Sequence, residues 1–574
     1  MGNRSRELIL VLAFCLFLFA YGLGSFGLTG ADEPRYAQIA REMLARHDWV
    51  TPVLYGKAWL EKPVLYYWLA MISYKIFGVS DWAARVPSAA LATLMVLGIY
   101  LFSLRLRRGI VGVAATRVFA RGGAELDAAL VTASSALVLA MARGASTDMP
   151  LTAPFVLALL CWYAWYESGR RWLLLAFQFL IALGTLAKGP VAPFLAAVII
   201  IAFCLAVRQP RQIIKTLWIP GVLLFLAVAL PWYVEVQLRN PQFFRFFILE
   251  QNLSRFATNM YRHPQPFWYY LPVTLAATVP WSVFAVAGLV STVRRWREWA
   301  GENLACDPFA VFLLLWAIIP VAFFSLSQSK LPAYILPSVP AFALLAVLYI
   351  HDRAGRPTAR PANLPVSQSA FQAGEASDRR APAARTSEAP GLWLITLHAV
   401  LCASVVVAAL LTPHLMHKTM PGTRALMVAS LAGVSAFVVI ACALLFRGFA
   451  LLRPVTLLPV VITLAFLIQV AAPAIDATQS ARPVAKLLQR LGIGPDEPVA
   501  LFHAKREVEY GLAFYRDQPI AVYERQQLPL TEHVVVAGDG WEPQLQQMLP
   551  GRELRLIGFF RPQHLEIFSV GPVK

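Results

Sequence analysis

Charge is scarce in this chain. Charged residues make up 14% of it and hydrophobic residues 58%, where a soluble domain carries about a quarter charged residues. That shortage excludes a water-facing protein over most of the length. Cysteine is scarce too. Of six, Cys15, Cys161, Cys204, Cys402 and Cys442 fall in apolar runs and Cys306 lies beside a basic loop. None has metal-ligand or redox spacing, and none lies in a segment expected outside, so no disulfides are expected. Walker loop, dinucleotide fingerprint, HExxH helix and nucleophile elbow are all missing from the sequence. ATP-driven transport and soluble cofactor chemistry therefore lack support.

What is present is a series of long apolar runs. Leu8–Leu28 holds no charge and exceeds the roughly 20 residues that cross a bilayer, so it reads as a retained first span. Further spans are expected near 83–104, 124–142, 150–166, 172–187, 189–207, 216–236, 266–290, 309–326, 332–350, 392–412, 425–446 and 451–472, about thirteen in all. The formal charge of +18 sits in short clusters between these runs: Arg105, Arg107 and Arg108; Arg170 and Arg171; Arg208, Arg211 and Lys215; Arg294, Arg295 and Arg297. With the N-terminus inside, every cluster lands in the cytoplasm, as the positive-inside rule requires. The distribution argues against nucleic-acid binding. An odd count of spans puts the C-terminus outside.

The expected fold is mainly α: a transmembrane part, 1–472, with external loops 29–82 and 237–265, then a small external α/β domain, 473–574. Residues 351–391, rich in Ala, Pro, Ser and Arg, read as a flexible cytoplasmic linker. Val64–Phe77 and Ile110–Val118 are too short to span and fit interfacial or re-entrant pieces. Over 109–128, Arg117, Arg121, Glu125 and Asp127 interrupt the apolar pattern, so its topology is open. In the last domain Val484, Leu487, Leu488 and Leu491 recur at helical spacing. Strands are expected at Val499–Phe502, Ile520–Tyr523, Val534–Ala537 and Leu565–Val570.

The external side carries the unusual residues. Asp32 stands just beyond the first span, at the N-cap position of a helix with Pro34 in its first turn. Tyr36, Ile39, Ala40, Met43 and Leu44 form one apolar stripe, which fits an amphipathic helix lying on the membrane surface. Taken alone, Asp32 fits a plain helix cap equally well, and so does Asp148 ahead of Pro150. Glu61-Lys62-Pro63 precedes the apolar stretch from Val64. Lys62 can snorkel there or bind a lipid phosphate. Arg143, Lys188, Lys330, Arg239, Arg245, Arg255 and Arg262 reach the same rim. Such external cations run against the positive-inside rule, and an anionic ligand accounts for them. Over Asn240–Phe256, Phe243, Phe244, Phe246, Phe247 and Phe256 interleave with arginines, as in a segment set among lipid headgroups. Ser325–Tyr334 packs three serines, a glutamine, Lys330 and Tyr334 between two spans. Glu61 and His263 are candidate ligands for a divalent metal such as zinc; an ion pair and a loop histidine account for them more simply.

At these residues the sequence resembles the GT-C membrane glycosyltransferases. The order Asp32-Glu33, Glu61-Lys62-Pro63, Thr147-Asp148-Met149-Pro150, Leu186-Ala187-Lys188-Gly189-Pro190, His263–Tyr270 with Pro280-Trp281, and Ser327–Pro337 is similar to the branch holding protein O-mannosyltransferases and lipid A aminoarabinose transferases. The motifs cover roughly residues 1–350 in the expected order. The resemblance, closest to the aminoarabinose transferases, implies an enzyme of the bacterial inner membrane. Its donor would be undecaprenyl-phosphate-linked 4-amino-4-deoxy-L-arabinose and its acceptor a lipid A phosphate. It implies an inverting transfer on the periplasmic face; membrane lipids are expected as further partners, and a monomer with no required cofactor is the expectation, which the sequence alone does not fix. Mapped onto this chain, Asp32 and Asp148 are the catalytic candidates. Lys62 is the first candidate for the donor phosphate, followed by Arg35, Arg255, Arg262, Tyr334 and Lys330.

Chemistry bears on the acceptor. A hydroxyl acceptor needs a general base, whereas a phosphate is already an anion and needs positioning and screening. The external cations suit a phosphate acceptor, and Asp32 would then hold the donor's amino group or stabilise positive charge at the anomeric carbon. A protein O-mannosyltransferase is the alternative within enzymes. A lipid transporter is the alternative outside them; transporters tend to carry mid-membrane charge and internal repeats, neither of which stands out here.

Overall fold

The computed structural model describes residues 3–107, 122–254, 265–302, 307–354, 391–417, 421–525, 529 and 531–572. Among these, eight helices are long and apolar enough to cross a membrane, ten if each of two bent pairs is one span. The expected count of about thirteen differs for identifiable reasons. Gly422–Gln479 contains two expected spans, joined by the turn Gly448–Leu451. The first span is the helix Asn3–Cys15 continued by a π turn to Ala20. Val191–Ala206 is apolar but short. The pair Ala124–Ser134 and Ala136–Ala142 bends by 64°. The expected span 266–290 is two helices, Phe267–Ala277 and Ser282–Arg297, bent by 118°.

Burial separates centre from periphery. Of the most apolar stretch in each helix, 83% is buried for Asp148–Ser168 but 22% for Ile219–Arg239. The outer helices turn Leu223, Leu230, Leu431 and Phe446 outward, an arrangement that only lipid satisfies. Trp162, fully buried, stacks on Phe312 at 5.7 Å and donates its indole N–H to Thr216 Oγ1 at 2.9 Å. Gly288 lets two helices touch: a Cβ there would lie 2.3 Å from the Leu345 carbonyl oxygen.

Acids that break the apolar pattern near 124–128 have cationic partners from other helices. Glu125, fully buried, pairs with Arg107. Asp127 accepts from His351 Nε2 at 2.8 Å and Arg453 Nε at 2.6 Å. The interruption is thus a set of interhelical ties; Ile110–Val118 lies outside the described residues, as does nearly all of the expected linker.

The external loop 29–82 is folded. It contains the helix Asp32–Ala45, a hairpin of β1 (Val53–Leu54) and β2 (Lys57–Ala58), and the 13-residue helix Leu65–Phe77, too short to span. The stripe of the first helix does not face lipid. Tyr36, Ile39, Ala40 and Met43 are buried, in one cluster with Tyr66, Tyr67, Ala70 and Tyr74 of the second helix. Protein surface outcompetes the bilayer for these side chains. Phe243 and Phe247 likewise turn inward, stacked at 5.2 Å beside Trp232 and Tyr233, while Phe244 is exposed.

The C-terminal unit holds a five-stranded sheet in the order β4-β3-β5-β7-β6: β3 Val499–Phe502, β4 Ala521–Val522, β5 His533–Gly538, β6 Leu554–Phe560 and β7 Leu565–Val570. β3 pairs in parallel with β4 and β5; β7 pairs antiparallel with β5 and β6. Four strands stand near their expected positions. β6 carries Arg555 and a register shift between Leu556 and Gly558, which hid its alternation. Position 473, the expected domain boundary, falls within the helical run Leu452–Gln479; the next helix, Arg482–Arg490, packs Val484 and Leu488 into the unit's core.

This unit is fastened to the first external loop. Arg482 bridges Asp81 and Asp476, each at 2.9 Å, and donates to the carbonyls of Gly24 and Ser25. Gly27 passes beneath it, where a Cβ would meet Ser480 Oγ at 2.2 Å and the Tyr515 hydroxyl at 2.4 Å. Arg41 pairs with Asp517 at 2.7 Å and donates to the Phe514 carbonyl.

Candidate functional site

Asp32 does not cap its helix. The N-cap is Ala31, with no side-chain capping bond, and Asp32 is the first helical residue. Asp148 is likewise the first residue of its helix, behind an N-cap Thr147 that makes no side-chain cap bond. A capping aspartate stands elsewhere: Asp307 accepts from the Phe309 and Ala310 amides ahead of Pro308. With capping removed, both site aspartates have carboxylates available for other work.

The Asp32 side chain is 62% exposed and accepts from Arg35 Nη2 at 2.5 Å. The Arg35 guanidinium lies 5.2 Å from the Tyr36 ring, 5.2 Å from Trp59 and 5.5 Å from Tyr510 of the C-terminal unit. Burial alone would weaken its charge, but Tyr36, Asp32 and Glu61 outweigh it and Arg35 holds its proton more firmly than usual.

Next to Asp32, Glu33 is closed off. It forms a two-pronged pair with Arg85, Nη2 to Oε2 at 2.7 Å and Nε to Oε1 at 3.1 Å. It also accepts from the Thr29 amide and hydroxyl and the Ala145 amide. Burial opposes its charge, yet Arg85 and these donors hold its carboxyl below the usual range. Arg85, itself 1% exposed, also donates to the carbonyls of Leu23, Phe26 and Gly27. The pair pins the first span, the surface helix, the 81–107 helix and the turn before Asp148. Sequence reading missed it, though a lone arginine inside an expected span was the available signal.

Asp148 is paired with Lys188, whose ammonium lies 5.4 Å from the Tyr334 ring centroid. Lys62, half-buried, acts electrostatically on Asp148, and Asp32 and Asp148 both act on Tyr36. Asp32, Arg35, Glu61, Lys62, Asp148, Lys188 and Tyr334, distant in sequence, thus assemble at one end of the bundle. Lys330, expected as a phosphate contact, is 6% exposed and donates to the carbonyls of Gln265 and Ser327. Arg255, Arg262 and His263 lie outside the described residues. Among the described residues no group of three or more His, Cys, Asp or Glu is placed to hold a metal.

A bundle of apolar helices with a folded external loop, a small sheet unit and paired charges at one rim defines a polytopic membrane protein. Residues 61–234 match the family described as dolichyl-phosphate-mannose-protein mannosyltransferase. That match, over part of the chain, is to the branch that the sequence motifs resemble.

Its relatives narrow the branch. The chain is 34% identical over 349 residues to an undecaprenyl phosphate-alpha-4-amino-4-deoxy-L-arabinose arabinosyl transferase of Pseudomonas paraeruginosa, covering 60% of this chain and 59% of the relative. A transferase of that name in Aeromonas hydrophila is 33% identical over 58% of each chain. The match thus spans under two thirds of these relatives' length. In fold, the chain is similar to ArnT from Cupriavidus metallidurans bound to undecaprenyl phosphate, with TM-score 0.72 and 21% identity over 99% of this chain and 98% of that one.

Proposed function

We propose that this protein moves 4-amino-4-deoxy-L-arabinose from undecaprenyl phosphate to a phosphate of lipid A. The observation that carries the proposal is the gathering at one rim of an open carboxylate, Asp32, with Arg35, Lys62 and the Asp148–Lys188 pair. The names of the relatives support the donor and the sugar. In this reading the N-terminus is cytoplasmic, and the rim and the C-terminal unit face the periplasm across the bacterial inner membrane. The arginine clusters support that orientation.

The reaction is a single displacement. A lipid A phosphate oxygen forms a bond to the anomeric carbon as the bond from that carbon to the polyprenyl phosphate oxygen breaks. The departing phosphate takes the bonding electron pair. No proton need be removed from the acceptor, because it attacks as an anion. Lys62 holds the donor phosphate and favours its departure as a compact charge. Asp32, open to the reacting face, stabilises positive charge developing at the anomeric carbon or holds the donor's amino group. Asp148 and Lys188 shape the adjoining wall.

Mass spectrometry of lipid A from cells with and without the gene tests the proposal. Gene-dependent addition of an aminopentose to lipid A phosphate is the expected result. Unchanged lipid A together with gene-dependent hexosylation of proteins would overturn it in favour of a protein mannosyltransferase.

A further inference from the structure

Arg35 is held in an unusual way. Its Nη2 reaches Asp32, yet its Nε is buried without a hydrogen-bond partner among the described residues. Besides Asp32, the Tyr36 side chain and the charge of Glu61, ring faces surround the guanidinium. Tyr36 belongs to its own helix and Trp59 follows the β1–β2 hairpin, but Tyr510 comes from the helix Arg506–Arg516 of the C-terminal unit. Tyr510 is 7% exposed, and Tyr55 of the hairpin stacks beside it at 6.5 Å between centroids. The buried Trp59 indole N–H and Tyr55 hydroxyl also lack hydrogen-bond partners among the described residues, so stacking and packing fix the enclosure. A cation confined by faces as well as by one carboxylate has its position set in part by the faces.

We infer that the C-terminal unit completes the site: Tyr510 is a positioning residue that holds Arg35, and through Arg35 the Asp32 carboxylate, in register for transfer. This rests on the transferase reading given above. Asp32 is largely exposed, and Arg35 is its hydrogen-bonded partner among the described residues. Loosening the cage therefore moves the carboxylate directly. A displacement of about an ångström at a reacting centre costs up to about a hundredfold in rate. The requirement is for a π face, so phenylalanine should serve and leucine, which fills space without a quadrupole, should not.

The test compares Tyr510→Phe, Tyr510→Leu and, as a docking control, Arg41→Ala, which removes the contacts to Asp517 and Phe514 without touching the cage. Purified full-length variants are assayed for sugar transfer from donor lipid and for labelling of Arg35 by phenylglyoxal, mapped by mass spectrometry. Tyr510→Leu should lower kcat about tenfold or more with donor KM little changed, and should raise Arg35 labelling several-fold. Tyr510→Phe should match the unsubstituted protein in both. If Tyr510→Leu keeps full kcat and protected Arg35, or if Arg41→Ala reproduces its effects, the positioning role is overturned. Labelling reads the cage without reference to activity: a protein that transfers no sugar but still shows the leucine-specific rise in labelling fails the transferase reading and keeps the cage.

Discussion

The two ends of the helical bundle both gather charge and use it differently. At the end holding Arg107, acids are closed: Glu125 is fully buried against its arginine, and Asp127 sits between His351 and Arg453. At the opposite end Glu33 is closed in the same manner, while its neighbour Asp32 is 62% exposed with one described cationic partner. A buried charge is tolerable only beside an opposite charge, so these closed pairs serve as ties between helices. An open carboxylate is free for a ligand. The lesson is that residue type does not set the role here; burial against a cation does.

The largest effect should come from opening a tie. Arg85→Met leaves Glu33 buried without its cation and should cost about 3–5 kcal/mol of stability, read as a lowered thermal midpoint. The pH dependence has a definite sign. Because the Glu33 carboxyl is held below its ordinary value of 4.5, its contribution is complete above that value and is lost as pH falls through the lower folded one. Removing Arg85 should flatten that acid-side loss in pH-dependent melting. Equal melting of both proteins would mean that the tie carries no stability.

Asp32→Asn tests the open carboxylate. Asn keeps a hydrogen-bond acceptor for Arg35, and no cap is lost, so the melting temperature should hold. Transfer should fall about 10²–10³-fold, a barrier increase of about 3–4 kcal/mol. Asp32→Glu should also be impaired, through displacement of the carboxylate. Full activity in the Asn variant would erase the contrast between Asp32 and Glu33.

The smallest effect is expected at Lys62. Lys62→Ala should weaken undecaprenyl phosphate binding by about 1.5–3 kcal/mol, one to two decades, and Lys62→Arg should keep part of it. Equilibrium binding of the polyprenyl phosphate measures this. Unchanged affinity with an intact fold removes Lys62 from the donor site.

Part of the candidate site was legible because its motifs are local. Asp32, Glu61-Lys62-Pro63 and Asp148 were readable from order and surroundings, and the structure brings them to one rim. The capping role weighed for Asp32 and Asp148 was wrong, since a one-residue shift in helix start decides it. The inward turn of the surface helix was missed for a different reason. An amphipathic stripe looks the same whether lipid or protein covers it, and here Tyr66 and Tyr67 do.

The sequence by itself determined that this is a mainly helical membrane protein with its arginine clusters between spans and its reactive candidates on loops at one side. Long uncharged runs leave a chain no other way to satisfy its backbone. Only the tertiary structure decided which acid stays open. Glu33 is closed by Arg85, 52 residues away, and Arg35 is enclosed in part by Tyr510, from the far end of the chain. Pairing energies depend on distance in space, and no local pattern records which distant cation will arrive.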